Sequence, residues 1–174
     1  GNYIGTDASG SVALSNGSGI WLSATSGHSI GGVNAGEGNV ISGNGTGIQA
    51  YNLTGTTIAG NFIGTDATGT RQVGNGYGIF LTGPESSLNN ISRNVISGNR
   101  IYGLDVRSGA HDNWIRRNLF GSDLTGSLPI PTLENNGVNI MFQDGAHSNT
   151  LGGTAPGDGN VIVASPVAGI FLFN

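Results

Sequence analysis

Short apolar stretches recur along the whole chain, and most of them begin with a glycine. In each stretch the glycine is followed by an apolar, a variable and a second apolar residue, and this period of two is typical of β-strands. The six copies are Gly19-Ile20-Trp21-Leu22, Gly47-Ile48-Gln49-Ala50, Gly78-Ile79-Phe80-Leu81, Gly103-Leu104-Asp105-Val106, Gly137-Val138-Asn139-Ile140 and Gly169-Ile170-Phe171-Leu172. Such recurrence predicts one structural unit that is repeated about five and a half times.

A second recurring element is an asparagine followed by a variable and an apolar residue. It occurs at Asn2, Asn39, Asn61, Asn94, Asn118 and Asn160. One isolated apolar residue precedes most copies and follows the anchor glycine by 11 to 14 residues; these residues are Ile30, Ile58, Ile91, Ile115 and Leu151. The unit therefore contains three short apolar segments, which we expect to form three strands separated by turns.

Two kinds of insertion lengthen some units. One kind occupies residues 31–38 and 152–159, and the other is the phrase GTDATG at residues 64–69, with relatives at residues 5–10 and 121–126. Gly19, Gly78 and Gly137 are spaced 59 residues apart, so alternate units carry the phrase. Short strands cannot bury their apolar faces alone, whereas stacked units share one continuous core. The sequence thus predicts an all-β solenoid of five to six coils with long loops on alternate coils.

This pattern resembles the right-handed parallel β-helix repeat family, the pectate-lyase-like β-solenoids. The resemblance is carried by residues 90–99, NISRNVISGN, followed by Gly103-Leu104, and it covers essentially the whole chain. The GTDATGT-type insertions are similar to those of repetitive bacterial surface or secreted proteins. The resemblance implies one right-handed parallel β-helix domain over residues 1–174. It says little about activity, because the fold serves lyases, epimerases, adhesins and tail fibres.

The six asparagines and the acidic phrase have structural interpretations. Asn2, Asn39, Asn61, Asn94, Asn118 and Asn160 are expected to stack at one turn as a ladder whose amides bond neighbouring coils. Asp7, Asp66 and Asp123, from the repeated phrase, are expected to close turns. Calcium ligation is the alternative for these three aspartates, although each loop supplies one carboxylate and calcium needs six to eight oxygens. We therefore predict no cofactor, with calcium as the alternative.

Two groups of residues are candidates for contacts with a glycan or a protein partner. Arg93 and Arg117 precede ladder asparagines at equivalent positions, one strand spacing apart. In polysaccharide lyases of this fold an Arg or Lys is the base beside acidic calcium ligands, which the resemblance offers as a role for these arginines. Trp21, Tyr51 and Phe80 are expected to point outward and form an apolar stripe that either the insertions or another molecule covers.

Three histidines, His28, His111 and His147, fall in the turn before the isolated apolar residue. His111 and His147 belong to adjacent coils and, with Asp112 and Asp144, have the composition of a metal or acid–base cluster. Ordinary surface histidines of a turn are the alternative.

Composition limits the possible functions. Glycine supplies 33 of 174 residues, charged residues only 9%, and the net charge is −4. All six basic residues are arginines, so the basic stripe that nucleic acid requires is missing. No cysteine is present, and no apolar stretch is long enough to span a membrane. We expect no nucleic-acid partner and no membrane insertion.

Both ends of the sequence lie inside a repeat, at Gly1-Asn2 and at Phe173-Asn174, without a recognisable cap. Exposed strand edges pair readily with further chains. The preferred hypothesis is a bacterial extracellular or cell-surface module with a structural or adhesive role and no catalytic one. Such a module would self-associate into a fibre or contact another surface protein. The alternative is a domain that binds, or cleaves as a lyase, an anionic polysaccharide.

Overall fold

Three parallel sheets wrap around one apolar core in the computed structural model, which describes residues 1–130 and 137–174. The described residues form seventeen β-strands and no helix, so none of them offers a helical membrane span. Each of the first five coils contributes one strand to each sheet in turn, the sixth contributes to two sheets, and all strand pairs are parallel. The predicted right-handed parallel β-helix is thereby confirmed.

Each sheet takes every third strand, and the strands of a sheet are neighbours in successive coils. Sheet I contains β1 (Tyr3–Ile4), β4 (Val40–Ile41), β7 (Phe62–Ile63), β10 (Val95–Ile96), β13 (Leu119–Phe120) and β16 (Val161–Ile162). Sheet II contains β2 (Ser18–Ser26), β5 (Thr46–Thr54), β8 (Tyr77–Thr82), β11 (Tyr102–Arg107), β14 (Val138–Phe142) and β17 (Ala168–Leu172). Sheet III contains β3 (Ser29–Gly31), β6 (Thr57–Ala59), β9 (Asn90–Ser92), β12 (Trp114–Arg116) and β15 (Thr150–Leu151).

The core consists of columns of aliphatic side chains that run along the solenoid axis. In sheet II the register places Ile48, Ile79, Leu104 and Ile140 directly above one another, and all four are fully buried. Sheets I and III add equivalent columns, because Ile63 pairs with Ile96 and Ile58 pairs with Ile91. Each such side chain contributes roughly 1.5–3 kcal/mol of burial free energy, so the stacking of coils stabilises every strand.

One strand register differs from the sequence expectation. The repeat pattern predicts that Gly137 aligns with Gly103, the anchor glycine of the preceding coil. In the structure Leu104 pairs with Ile140, so the residue aligned with Gly103 is Asn139. The periodic pattern is ambiguous there because apolar residues at 138 and 140 both fit a period of two. Contact with the preceding coil decides the register.

Candidate functional site

The six predicted ladder asparagines lie in one column at the turn before sheet I. Each of the first five uses its backbone N–H and its Nδ2 atom to donate to the Oδ1 atom of the next, as Asn39 does to Asn61 at 3.0 and 2.9 Å. The same pattern links Asn94 to Asn118 and Asn118 to Asn160. The amides of Asn61, Asn94 and Asn118 also donate to main-chain carbonyls, so these buried side chains are satisfied and hold the turn.

Two further ladders were not anticipated from the sequence. One links Asn16, Asn44, Asn75 and Asn99, and the other links Thr56, Asn89, Asn113 and Asn149. Spacing could have revealed them, because Asn44 and Asn99 each follow a first-ladder asparagine by five residues, and Asn89 precedes one by five. All three turns of the solenoid are thus held by the same amide chemistry.

The aspartate of each GTD phrase closes its own loop. Both carboxylate oxygens of Asp66 accept the Thr68 hydroxyl at 2.9 Å, and one oxygen also accepts the backbone N–H groups of Thr70 and Arg71. Burial raises the pKa of Asp66, but these hydrogen bonds outweigh it and leave the pKa below the ordinary value. Asp7 and Asp123 make the same set of contacts in their loops.

The three GTD loops stack on one another although they leave alternate coils. The Ala67 N–H donates to the Gly10 carbonyl at 3.1 Å, and the Leu124 N–H donates to the Gly69 carbonyl at 2.9 Å. The loops also pack on outward residues of sheet I. Gly69 lies so close to Phe62 that a Cβ atom added to the glycine would be only 2.7 Å from the Phe62 ring. Their carboxylates therefore face donors inside each loop, and do not converge on a common point.

The predicted arginines line a groove at the turn between sheets III and I. Arg93 and Arg117 have φ angles of 57° and 60°, in the left-handed region. One coil before Arg93, the equivalent position is occupied by Gly60. Arg117 donates to Asp158 Oδ1 at 2.7 and 2.9 Å, and this bond is the main reason that the pKa of Asp158 is lowered. Arg116 makes one long hydrogen bond of 3.4 Å to Asn90.

This arginine groove consists of two clefts that share Val33 and Arg93. The first cleft, of about 280 Å³, is lined by Val33, Thr57, Ala59, Asn90, Ser92, Arg93, Arg116 and Arg117. The second, of about 400 Å³, adds the aromatic rings of Tyr3 and Phe62 and the 31–38 insertion. Cationic, polar and aromatic surfaces thus meet along one side of the solenoid.

The predicted aromatic stripe is not one continuous surface. Trp21 is 70% exposed and shares a column of sheet II with Phe80, but Gln49 separates them, while Tyr51 lies two residues further along its strand. Phe80 is half-buried and packs edge-to-face on Tyr77 at 5.5 Å between ring centroids. None of the three lies in the arginine groove, so the predicted contact residues occupy two surfaces.

The same outward column contains a buried acid, Asp105, in register with Phe80 and Met141. Its Oδ1 atom accepts from Gln143 at 2.9 Å, whereas its Oδ2 atom has no hydrogen-bond partner. Burial is the main cause that raises the pKa of Asp105. Arg107 approaches the Asp105 carboxylate only to 3.8 Å and pairs with Asp144 instead.

Two of the three histidines are stacked. The imidazole rings of His111 and His147 are parallel within 1°, with centroids 5.0 Å apart, in adjacent coils. Within residues 1–130 and 137–174, no group of three or more His, Asp or Glu side chains is arranged to hold a metal ion.

A family model described as "Periplasmic copper-binding protein (NosD)" matches residues 4–161. No curated protein and no solved structure shows significant similarity to the chain. Copper favours imidazole and sulfur donors, but the chain has no cysteine and one methionine, Met141, which is buried. Among residues 1–130 and 137–174 the neighbouring copper donors are therefore two imidazoles, those of His111 and His147, which do not make a complete copper site.

Proposed function

The chain belongs to the family described as periplasmic copper-binding protein (NosD), and we propose that it is a non-catalytic adhesive module that binds an anionic polysaccharide. The periplasmic location in the family description agrees with the expected bacterial localisation outside the cytoplasm. The proposal concerns the ligand and the lack of catalysis, and it depends on the arginine groove.

The observation that carries the proposal is that Arg93 and Arg116 form no direct ion pair with a described carboxylate, although the charge of Arg116 acts on Asp158 at longer range. In the part of the chain that the structure describes, neither guanidinium has a carboxylate within 4.0 Å, whereas Arg107 and Arg117 are both paired. Two cations side by side on a net acidic protein favour a bound anion. Guanidinium groups suit carboxylates and sulfates because they offer parallel N–H donors.

Backbone strain at Arg93 supports a binding role. A left-handed conformation costs an L-residue roughly 1–2 kcal/mol, and Gly60 shows that glycine fills the same position without that cost. Strained residues of this kind concentrate at functional sites. Nine other non-glycine residues of the described chain also have positive φ angles, so the strain at Arg93 is compatible with a binding role and does not by itself identify one.

The remaining walls of the groove fit a sugar chain. Tyr3 and Phe62 present aromatic rings, half of the Tyr3 residue is exposed, and sugar rings stack on such surfaces through their C–H faces. Thr57, Asn90 and Ser92 supply hydroxyl and amide groups for sugar hydroxyls. The groove crosses successive coils, so an extended polymer has several equivalent contacts along it.

The pairing of Arg117 favours binding without catalysis. The Arg117 guanidinium donates two hydrogen bonds to Asp158 Oδ1, at 2.7 and 2.9 Å, so these donors are turned toward the protein and away from a bound substrate. Asp158 is in turn tied to the Ala155 N–H at 3.2 Å. This ion pair therefore links Arg117 of the groove to the 152–159 insertion and has a structural role.

The test uses polygalacturonate as the anionic polymer and dextran as a neutral polymer of similar size. We expect affinity electrophoresis to show retardation by polygalacturonate alone, weakened by salt. Arg93→Gly should weaken binding at least tenfold and leave the melting temperature unchanged or higher, because glycine relieves the strain. The control Arg71→Gln removes one exposed charge from a GTD loop and should bind normally.

Three outcomes would contradict the proposal. Equal losses in Arg93→Gly and Arg71→Gln would indicate unspecific charge attraction. Unchanged binding by Arg93→Gly would exclude the arginine groove as the polysaccharide-binding site. Release of unsaturated sugars from polygalacturonate in the presence of calcium, abolished in Arg117→Ala, would establish the lyase alternative.

Self-association is a second candidate, favoured by the exposure of Trp21 and Tyr51 on sheet II. These residues are 70% and 47% exposed, which is high for large aromatic side chains. Sedimentation over a hundredfold concentration range tests it: assembly that Trp21→Ser abolishes supports a fibre, and a monomer throughout excludes one.

A further inference from the structure

An exposed tryptophan lies next to the arginine groove, on the outer face of sheet III. Trp114 is 42% exposed, although tryptophan side chains are highly buried on average. Side chains alternate along β12, so Ile115 points into the core while Trp114 and Arg116 share the outer face. The strand register places Trp114 beside Asn90 and Thr150 of the neighbouring coils. The indole therefore has polar strand neighbours and is open to solvent.

Asn90 connects this tryptophan with the groove. Asn90 and Arg116 both line the first cleft, of about 280 Å³. The Oδ1 atom of Asn90 accepts from Arg116 Nε at 3.4 Å, across the boundary between two coils. The same asparagine is the strand partner of Trp114. The surface of the cleft therefore continues through Asn90 to the indole, which the cleft itself does not include.

We infer that Trp114 and Arg116 form one subsite for an acidic sugar unit, in which the sugar ring stacks on the indole and its carboxylate binds the guanidinium. Alternate residues of a strand lie roughly 6.6–6.8 Å apart, a separation that one sugar ring with its acidic substituent spans. Aromatic faces accept the C–H face of a sugar ring, and a guanidinium offers parallel N–H donors to a carboxylate. The two residues thus recognise two parts of the same unit.

This inference rests on the proposed polysaccharide function and narrows the class of its ligand. A polymer whose negative charge is carried on sugar rings contacts both the indole and the guanidinium. A ring-free polyanion such as polyphosphate has only the charges of Arg93 and Arg116 to bind. Salt screens an attraction between exposed charges but leaves stacking largely intact. We therefore expect the affinity for polyphosphate to fall more steeply with salt than the affinity for an acidic polysaccharide.

The experiment follows the fluorescence of Trp114 in a Trp21→Phe background, where it is the single remaining tryptophan. Polygalacturonate should shift the emission to shorter wavelength and protect the indole from quenching by acrylamide, whereas polyphosphate should do neither. In affinity electrophoresis Trp114→Ala should weaken polygalacturonate binding at least fivefold, and Trp114→Tyr should restore most of it. The control Leu14→Ala truncates a side chain that is 63% exposed and lines neither cleft, and it should bind like the background protein.

The outcomes separate this inference from the proposed function. Retardation by polygalacturonate with unchanged Trp114 emission and unchanged binding by Trp114→Ala overturns the subsite and leaves the arginine groove as the binding site. Equal emission shifts with polyphosphate also overturn it, because the subsite would then not recognise a sugar ring. No retardation of the parent protein overturns both. Recovery in Trp114→Tyr, with melting temperatures equal to that of the background protein, shows that a lost ring and not a lost fold explains Trp114→Ala.

Discussion

Asn61 is joined to Asn94 by two hydrogen bonds, because its backbone N–H and its Nδ2 atom both donate to the same Oδ1 atom, at 2.9 and 3.0 Å. The amide of Asn94 meanwhile donates to the Ile58 and Ser92 carbonyls and to Asn118. Every hydrogen-bonding group of this buried side chain is therefore occupied. One asparagine links three successive coils.

Asn94→Ala should be strongly destabilising. It leaves buried N–H and carbonyl groups without partners, and each costs about 1–3 kcal/mol when unsatisfied. We expect a loss of about 3 kcal/mol in the free energy of unfolding, measured with urea. Asn2→Ala is the matched control, because Asn2 is an exposed member of the same ladder and should cost less than about 1 kcal/mol. Equal losses would mean that the ladder bonds do not determine stability.

Asp66→Asn should weaken the GTD loop in a pH-dependent way. The pKa of Asp66 is lowered in the folded protein, so its stabilisation is present above the ordinary value of 3.8 and disappears as the pH falls through the folded pKa. At neutral pH the variant should lose about 2 kcal/mol, the size of charge-assisted hydrogen bonds. Urea unfolding at several pH values should show the two proteins converging in acid. A stability difference that persists in acid would show that the ionised carboxylate of Asp66 is not what stabilises the loop.

Asp105→Asn should stabilise the protein at neutral pH. Burial raises the pKa of Asp105, so between 3.8 and that raised value the folded state binds more protons and stability falls as pH rises. The amide removes a buried charge that Arg107 approaches only to 3.8 Å, and its oxygen still accepts from Gln143. We expect a gain of about 1–3 kcal/mol at pH 7, which shrinks as the pH falls toward 3.8. A variant that is less stable than the parent at pH 7 would show that the carboxylate is needed.

Gly69→Ala should cost more than Gly126→Ala. Both glycines close GTD loops with positive φ angles, 66° and 73°, so both variants lose about 1 kcal/mol from the left-handed backbone. An added Cβ at Gly69 meets the Phe62 ring at 2.7 Å, whereas at Gly126 the nearest atom is 3.4 Å away, in Leu119. Overpacking adds about 1–3 kcal/mol at Gly69 alone. Equal melting temperatures for the two variants would refute the close loop contact.

The periodicity of the sequence was sufficient to predict the fold and its core. The apolar positions Ile48, Ile79 and Leu104 recur with a strand period of two, and only stacking buries such short segments. The first asparagine ladder is equally local, since each unit repeats the same asparagine before its first strand. Family membership agrees with this reading of the pattern.

Tertiary structure decided how residues of different coils meet. Sequence spacing could not show that Arg117 pairs with Asp158 while Arg93 has no carboxylate within 4.0 Å among the described residues, or that Asp105 is buried, because variable loop lengths separate these residues along the chain. The stacking of His111 on His147 likewise depends on the coil register. A repeat specifies its own strands and turns through local propensity, whereas contacts between coils follow from how those turns stack in space.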